Sequence, residues 1–124
     1  MTGTADPQYD VDLTIRLTET PGGPEYTFRL QAGDGTSSPA STVPDPAAAL
    51  DAVRRHGEAI FFPKPGPPPL CTQQYGGPQT AVVTGTYLGR EVNCRFSRTD
   101  GCEIARWHSM APLLGGSAGS TGAV

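Results

Sequence analysis

The sequence predicts one α+β domain in which strands outnumber helices. Three observations carry this. Apolar and polar residues alternate over 11–17 and again over 26–30, and two further alternating runs, TAVVTGTY and REVNCRF, meet at Leu88-Gly89. A strong helix start occurs once, at Asp45-Pro46, so the elements come in runs and not in a βαβ alternation. At 124 residues the chain has room for one domain with a real core and is short for two.

In the first strand Val11, Leu13, Ile15 and Leu17 alternate with Asp12, Thr14 and Arg16. After the turn-rich TETPGGPE the pattern resumes as Tyr26, Phe28 and Leu30, which reads as an antiparallel pair with one wet face. The segment QAGDGTSSPASTVP, 31–44, has loop composition.

Asp45 then offers an N-cap and Pro46 the first helical position, which predicts a helix over 47–56. Leu50 and Val53 share one face of it, Arg54, Arg55 and His56 suit the C-terminal end of its dipole, and Gly57 is expected to stop it. The helix is expected to cover the sheet.

Beyond Ala59-Ile60-Phe61-Phe62 and a proline-rich stretch, the two runs joined by Leu88-Gly89 read as a second hairpin. EIARWHSM is expected to form a short helix or turn. Ala111-Pro112-Leu113-Leu114 is expected to close the sheet as an edge strand, where proline is tolerated. Residues 1–8 and 115–124 have the small, polar composition of flexible tails, leaving 9–114 as the folded part.

Composition narrows the function classes. The 16 glycines and 13 prolines predict long loops around a modest core. A net charge of −3, without a run of either sign, gives no basic footprint for nucleic acid and no polybasic membrane patch. No apolar run approaches the length of a membrane span, and MTGTADPQYD has neither the basic region nor the apolar block of an export signal. That predicts either a processed chain or one not exported by that route.

The three cysteines allow one disulfide and one leftover thiol, and their spacing does not suit zinc, so no metal site is expected. Cys94 with His56 or His108 is the arrangement to weigh as a thiol nucleophile and base. Nothing local supports it, because alternation puts Val92, Cys94 and Phe96 on one strand face, where cysteine behaves as a small buried hydrophobe. No catalytic residue is assigned.

The stretch PPPLCTQQYGGP, 67–78, holds Cys71, Thr72, Gln73, Gln74 and Tyr75 between two groups of proline and glycine. Such a frame excludes helix and inner strand. Cys71 and Cys102 each sit among turn residues, and a bond between them would tie this segment to the loop after the second hairpin. An extended, pinned segment suits recognition by backbone pairing in a protein cleft. It equally suits a plain disulfide-anchored surface turn, and composition leaves the two even.

The C-terminal half resembles the Streptomyces subtilisin inhibitor family. Cys71-Thr72-Gln73-Gln74-Tyr75 is similar to its C-P-x-x-Y reactive loop, TAVVTGTYLGREV to its L-T-V-x-G-x-W-x-G-x-x-V segment, and Asp100-Gly101-Cys102-Glu103-Ile104 to its second loop cysteine. LTIRL, YTFRL and the helix AAALDAV extend the likeness upstream, so that it spans roughly residues 11 to 114.

The resemblance implies a five-stranded antiparallel sheet covered by two helices. It also implies a secreted homodimer paired through the sheet, no enzyme activity, no cofactor, and a subtilisin-like serine protease as partner. Its reactive-loop roles fall on Leu70 as P4, Thr72 as P2, Gln73 as P1, Gln74 as P1′ and Tyr75 as P2′, with Gln73–Gln74 as the scissile bond beside a Cys71–Cys102 disulfide.

Four features depart from the family. Leu30 and Ala47 stand where it has its first disulfide, a loss that a packed apolar pair would accommodate. Thr72 replaces proline at P2. FFPKPGPPP lengthens the approach to the loop, and Thr99 or Asp100 is nearest to its supporting asparagine. Gln73 favours a roomy apolar S1 pocket over a trypsin-like one, which wants a cation. The alternative is a diverged module that keeps the inhibitor fold as a binding or structural unit without inhibition.

Overall fold

A computed structural model describes residues 10–33, 36–66 and 70–114. The two expected tails, and Pro67, Pro68 and Pro69 of the loop frame, lie outside the described residues.

The alternating runs form β1 (Val11–Thr18), β2 (Glu25–Gly33), β4 (Thr80–Tyr87) and β5 (Arg90–Phe96), and a short β3 (Thr36–Ser37) follows β2. The strands make one antiparallel sheet in the order β3-β2-β1-β4-β5. Register explains the core: Leu13 faces Leu30 on one side and Gly85 on the other, and Val83 faces Cys94. A period of two therefore gathers Val11, Leu13, Ile15, Leu17, Leu30, Val83, Val92 and Phe96 on one buried face.

Two helices cover that face, α1 (Pro46–Phe61) and α2 (Gly101–Ser109). Asp45 caps α1 as expected, accepting from the Ala48 N–H, with Pro46 in the first turn. Ala49, Leu50, Ala52 and Val53 turn inward. Asp100 caps α2 by accepting from the Glu103 N–H at 2.9 Å, and Trp107 is the helix's buried anchor.

Four expectations are corrected. Gly57 does not stop α1, which runs on to Phe61. Gly57 is buried inside the helix against Val53, Phe61 and Tyr87, and the Tyr87 ring meets Phe61 edge-on at 6.2 Å.

Residues 111–114 form turns and no edge strand. Leu113 and Leu114 are both fully buried, which neighbours in a strand cannot achieve on a single face. The sheet ends instead at β5 on one side and, on the other, at β3, inside the segment expected to be loop. Beyond it Ser41 Oγ and Thr42 Oγ1 accept from the Gln31 and Arg29 N–H groups, which satisfies part of the β2 edge.

Finally, Leu30 is fully buried but Ala47 is exposed. The two are therefore not a packed apolar replacement for a disulfide. The core at Leu30 is filled by the inward-facing residues of the sheet and α1.

The Leu88-Gly89 hairpin is as expected. Leu88 has φ 53° and Gly89 φ 80°, the double left-handed turn that matches strand twist, and the Leu88 N–H donates to the Asp10 carbonyl at 2.7 Å. This leaves a leucine in a region that costs an L-residue roughly 1–2 kcal/mol.

Candidate functional site

Residues 70–75 have no regular structure, and all six are exposed. Leu70 is wholly open to solvent and Tyr75 is 69% exposed, an unusual position for large apolar side chains without a partner. The segment carries no charge.

What holds it is the stretch 98–102. Cys71 and Cys102 form a disulfide with Cα atoms 5.2 Å apart, across a separation of 31 residues. In the chain-entropy view, closing a loop of this length stabilises the fold by roughly 3–4 kcal/mol. The Cys102 sulfur also lies 3.7 Å from the Leu70 carbonyl oxygen.

Two backbone hydrogen bonds complete the support. The Gly101 N–H donates to the Thr72 carbonyl at 3.0 Å, and the Gly76 N–H donates to the Arg98 carbonyl at 2.6 Å. They lie on either side of Gln73–Gln74, so the bond between the two glutamines is a short exposed span between fixed points.

Both glycines are required by close approach. A side chain at Gly101 would overlap Thr72 Oγ1, and one at Gly76 would press into Ile104, 2.9 Å away. The Arg98 guanidinium in turn sits 5.9 Å from the centre of the Trp107 ring, which ties the supporting loop to the buried anchor of α2.

Leu70, Cys71, Thr72, Gln73, Gln74 and Tyr75 are thus brought together as one presented strand. Thr99 and Asp100 do not take the place of a supporting side chain. The Asp100 carboxylate is occupied with the α2 cap, and Thr99 Oγ1 is paired with Ser97 Oγ at 3.3 Å. Asp100 also lies close to Cys71 and Cys102, whose sulfurs are joined to each other and so do not serve as metal ligands.

Gly76, Arg98 and Gly101 do not stand out in the sequence. Arg98 acts through its carbonyl, which every residue type carries, and the close approaches that require Gly76 and Gly101 arise only in the folded chain. A signal for the α2 start did exist, since Asp100 with Glu103 three residues on is a capping pattern.

Cys94 is buried as its strand alternation implies. Its Sγ accepts from Arg106 Nη2 at 2.9 Å, and its thiol donates to the Ile60 carbonyl at 3.8 Å. Those are its partners among the described residues, and neither histidine is one of them. Burial pushes the thiol up from its ordinary range, while the Arg106 charge and hydrogen bond pull it down and the Glu103 charge adds a little to the rise. A protonated thiol with no adjacent base is a poor nucleophile.

A surface cavity of about 260 Å³ lies elsewhere, lined by Asp10, Val11, Arg54, Tyr87 and Leu88. It shares no residue with the presented strand. No helix among the described residues is long and apolar enough to cross a membrane. No family model matches the chain and no curated protein matches it.

Proposed function

We propose that this chain is an inhibitor of subtilisin-like serine endopeptidases, acting through residues 70–75 as a substrate-like strand. One observation carries the reading: Gln73–Gln74 is exposed between two backbone anchors and beside a disulfide, all attached to the single stretch 98–102.

A strand held this way enters a protease cleft with little conformational entropy left to lose. Each backbone residue fixed beforehand spares roughly 1–2 kcal/mol of ordering. Leu70 offers an apolar P4 side chain and Gln73 a long neutral P1 side chain. The Gln73 carbonyl then faces the protease's serine and its oxyanion donors.

Slow, reversible cutting follows from the same anchors. After the serine attacks, the leaving amine belongs to Gln74, two residues from the Gly76 anchor, while Thr72 is held by Gly101. The amine stays beside the acyl group and rebuilds the bond faster than water replaces it.

The remaining parts of the reading follow from this role. The chain has no catalytic group of its own, works outside the cell where a disulfide persists, and pairs as a homodimer. Such pairing would use the outer sheet face, where the half-buried Thr14, Val82, Thr84 and Thr86 lie among the charged Asp12 and Arg16 of the central strands.

Titrating subtilisin with the oxidised protein tests the proposal. Stoichiometric loss of activity is expected, and Gln73→Gly should weaken binding by about tenfold or more, equivalent to about 1.4 kcal/mol. Full protease activity at excess protein, or inhibition indifferent to Gln73→Gly, would leave the chain as a binding module on this fold.

A further inference from the structure

The leaving side of the central bond is a glutamine, and a glutamine at a new N-terminus has chemistry of its own. With Gln73–Gln74 as the bond a protease cuts, the reading on which this inference rests, rebuilding it requires the released amine to remain a free nucleophile.

In the intact chain the Gln74 nitrogen is an amide and unreactive. Once the bond is cut it is an α-amine, tethered by its own side chain to an electrophilic carboxamide carbon, Cδ, with which it closes an unstrained lactam ring. Tethering of this kind replaces a bimolecular encounter with an intramolecular one.

We propose that Gln74 is a self-modification site that makes cleavage irreversible. The α-amino nitrogen attacks Cδ, the N–Cδ bond forms, and the Cδ–NH2 bond breaks. The departing NH2 takes the proton that the amine gives up and leaves as ammonia. The product is a pyroglutamyl terminus whose lactam nitrogen no longer attacks an acyl-enzyme. No oxidant, metal or second reactant takes part.

The structure favours this fate. Gln74 is exposed, and no hydrogen bond or ion pair holds its side chain among the described residues. The nearest backbone anchor on its side is the Gly76 N–H, so cutting leaves Gln74 and Tyr75 as a short overhang in solvent. The ring can form there without disturbing the disulfide or the core.

Seated in a protease, the amine is held beside the acyl group and resealing wins. Released in nicked form, it has only its own side chain to attack. Each escape of a nicked molecule therefore retires it, and the inhibitor carries a limit on its working life set by one side chain.

The test uses the oxidised full chain nicked by a catalytic amount of subtilisin. The nicked protein is then aged in buffer without protease. Two quantities are followed: the mass, after reduction, of the fragment beginning at Gln74, and the fraction resealed when fresh subtilisin is added.

That fragment is expected to lose the mass of one ammonia as the resealed fraction falls toward zero. A Gln74→Met chain, which has no carboxamide, should reseal to the same extent before and after ageing. A fragment that keeps its full mass, or a Gln74→Met chain that loses resealing at the same pace, overturns the proposal. A chain cut at Gln73–Gln74 that keeps its amine overturns this inference alone, whereas a chain not cut there overturns the reading of the site as well.

Discussion

Gly101 and Thr72 fit one another as a pair: the Gly101 N–H donates to the Thr72 carbonyl at 3.0 Å, and Thr72 Oγ1 occupies the space a side chain at Gly101 would need. The contact fixes the residue immediately before Gln73. On the proposed reading, in which a proline would stiffen this position, a backbone hydrogen bond and a missing Cβ do so instead.

Gly101→Ala should therefore loosen the presented strand more than it destabilises the protein. Losing one such hydrogen bond costs about 0.5–1.5 kcal/mol, or up to about tenfold in affinity for subtilisin. Cleavage at Gln73–Gln74 should speed up, read by mass spectrometry. Adding Thr72→Ala, which removes the colliding oxygen, should restore part of the loss. Unchanged cleavage in Gly101→Ala would show that the clamp is idle.

Opening the disulfide should act on both stability and loop. Cys102→Ser is expected to lower unfolding free energy by roughly 3–4 kcal/mol in urea titration. On the proposed function it should also make the chain an ordinary substrate of subtilisin, since the Cys71 side of the cut bond is no longer tied to 98–102. Retained inhibition in this variant would place the rigidity elsewhere.

The turn at Leu88 offers a stabilising change. Its φ of 53° suits asparagine better than leucine, and the side chain is exposed. Leu88→Asn should raise stability by about 1 kcal/mol without touching the distant loop. A lower melting temperature would mean that the leucine packs more usefully than its exposure implies.

Cys94 gives a pH signature. Burial raises its folded-state pKa above the unfolded value, so its contribution to stability is complete below the ordinary thiol range, about 8.5, and is lost as pH rises through the folded value. The wild type should lose this part of its stability only as pH rises above that ordinary thiol range, and Cys94→Ala should not. In thiol titration the oxidised protein should react slowly when native and show its free cysteine, Cys94, on denaturation.

Much of this architecture could be read from residues, for reasons that differ by element. β1 and β2 were legible because one sheet face is wet, which imposes strict alternation on Val11 to Leu17. The β4–β5 hairpin was legible from its two-residue turn. β3 was not, because two residues in a polar loop carry no pattern, and their pairing with Ala32 and Gly33 uses backbone alone.

Gly57 misled because helix-stopping is its common role, whereas here it lies buried within α1, where the packed turn runs on to Phe61. Pro112 misled because a proline beside apolar residues fits an edge strand as well as a turn that buries Leu113 and Leu114. At the site, Cys71 to Tyr75 stood out by their frame of prolines and glycines. The anchoring role of Gly76, Arg98 and Gly101 did not: Arg98 acts through a carbonyl, which leaves no mark on residue identity, and the need for glycine at Gly76 and Gly101 comes from Ile104 and Thr72, neighbours that only the fold supplies.

The most direct measurement is to map the first bond cut when a catalytic amount of subtilisin meets the oxidised protein, by peptide mass spectrometry without reduction. One slow cut is expected, at Gln73–Gln74, with the two pieces still joined through Cys71–Cys102. Rapid cutting at several bonds, or a first cut outside 70–75, would contradict it.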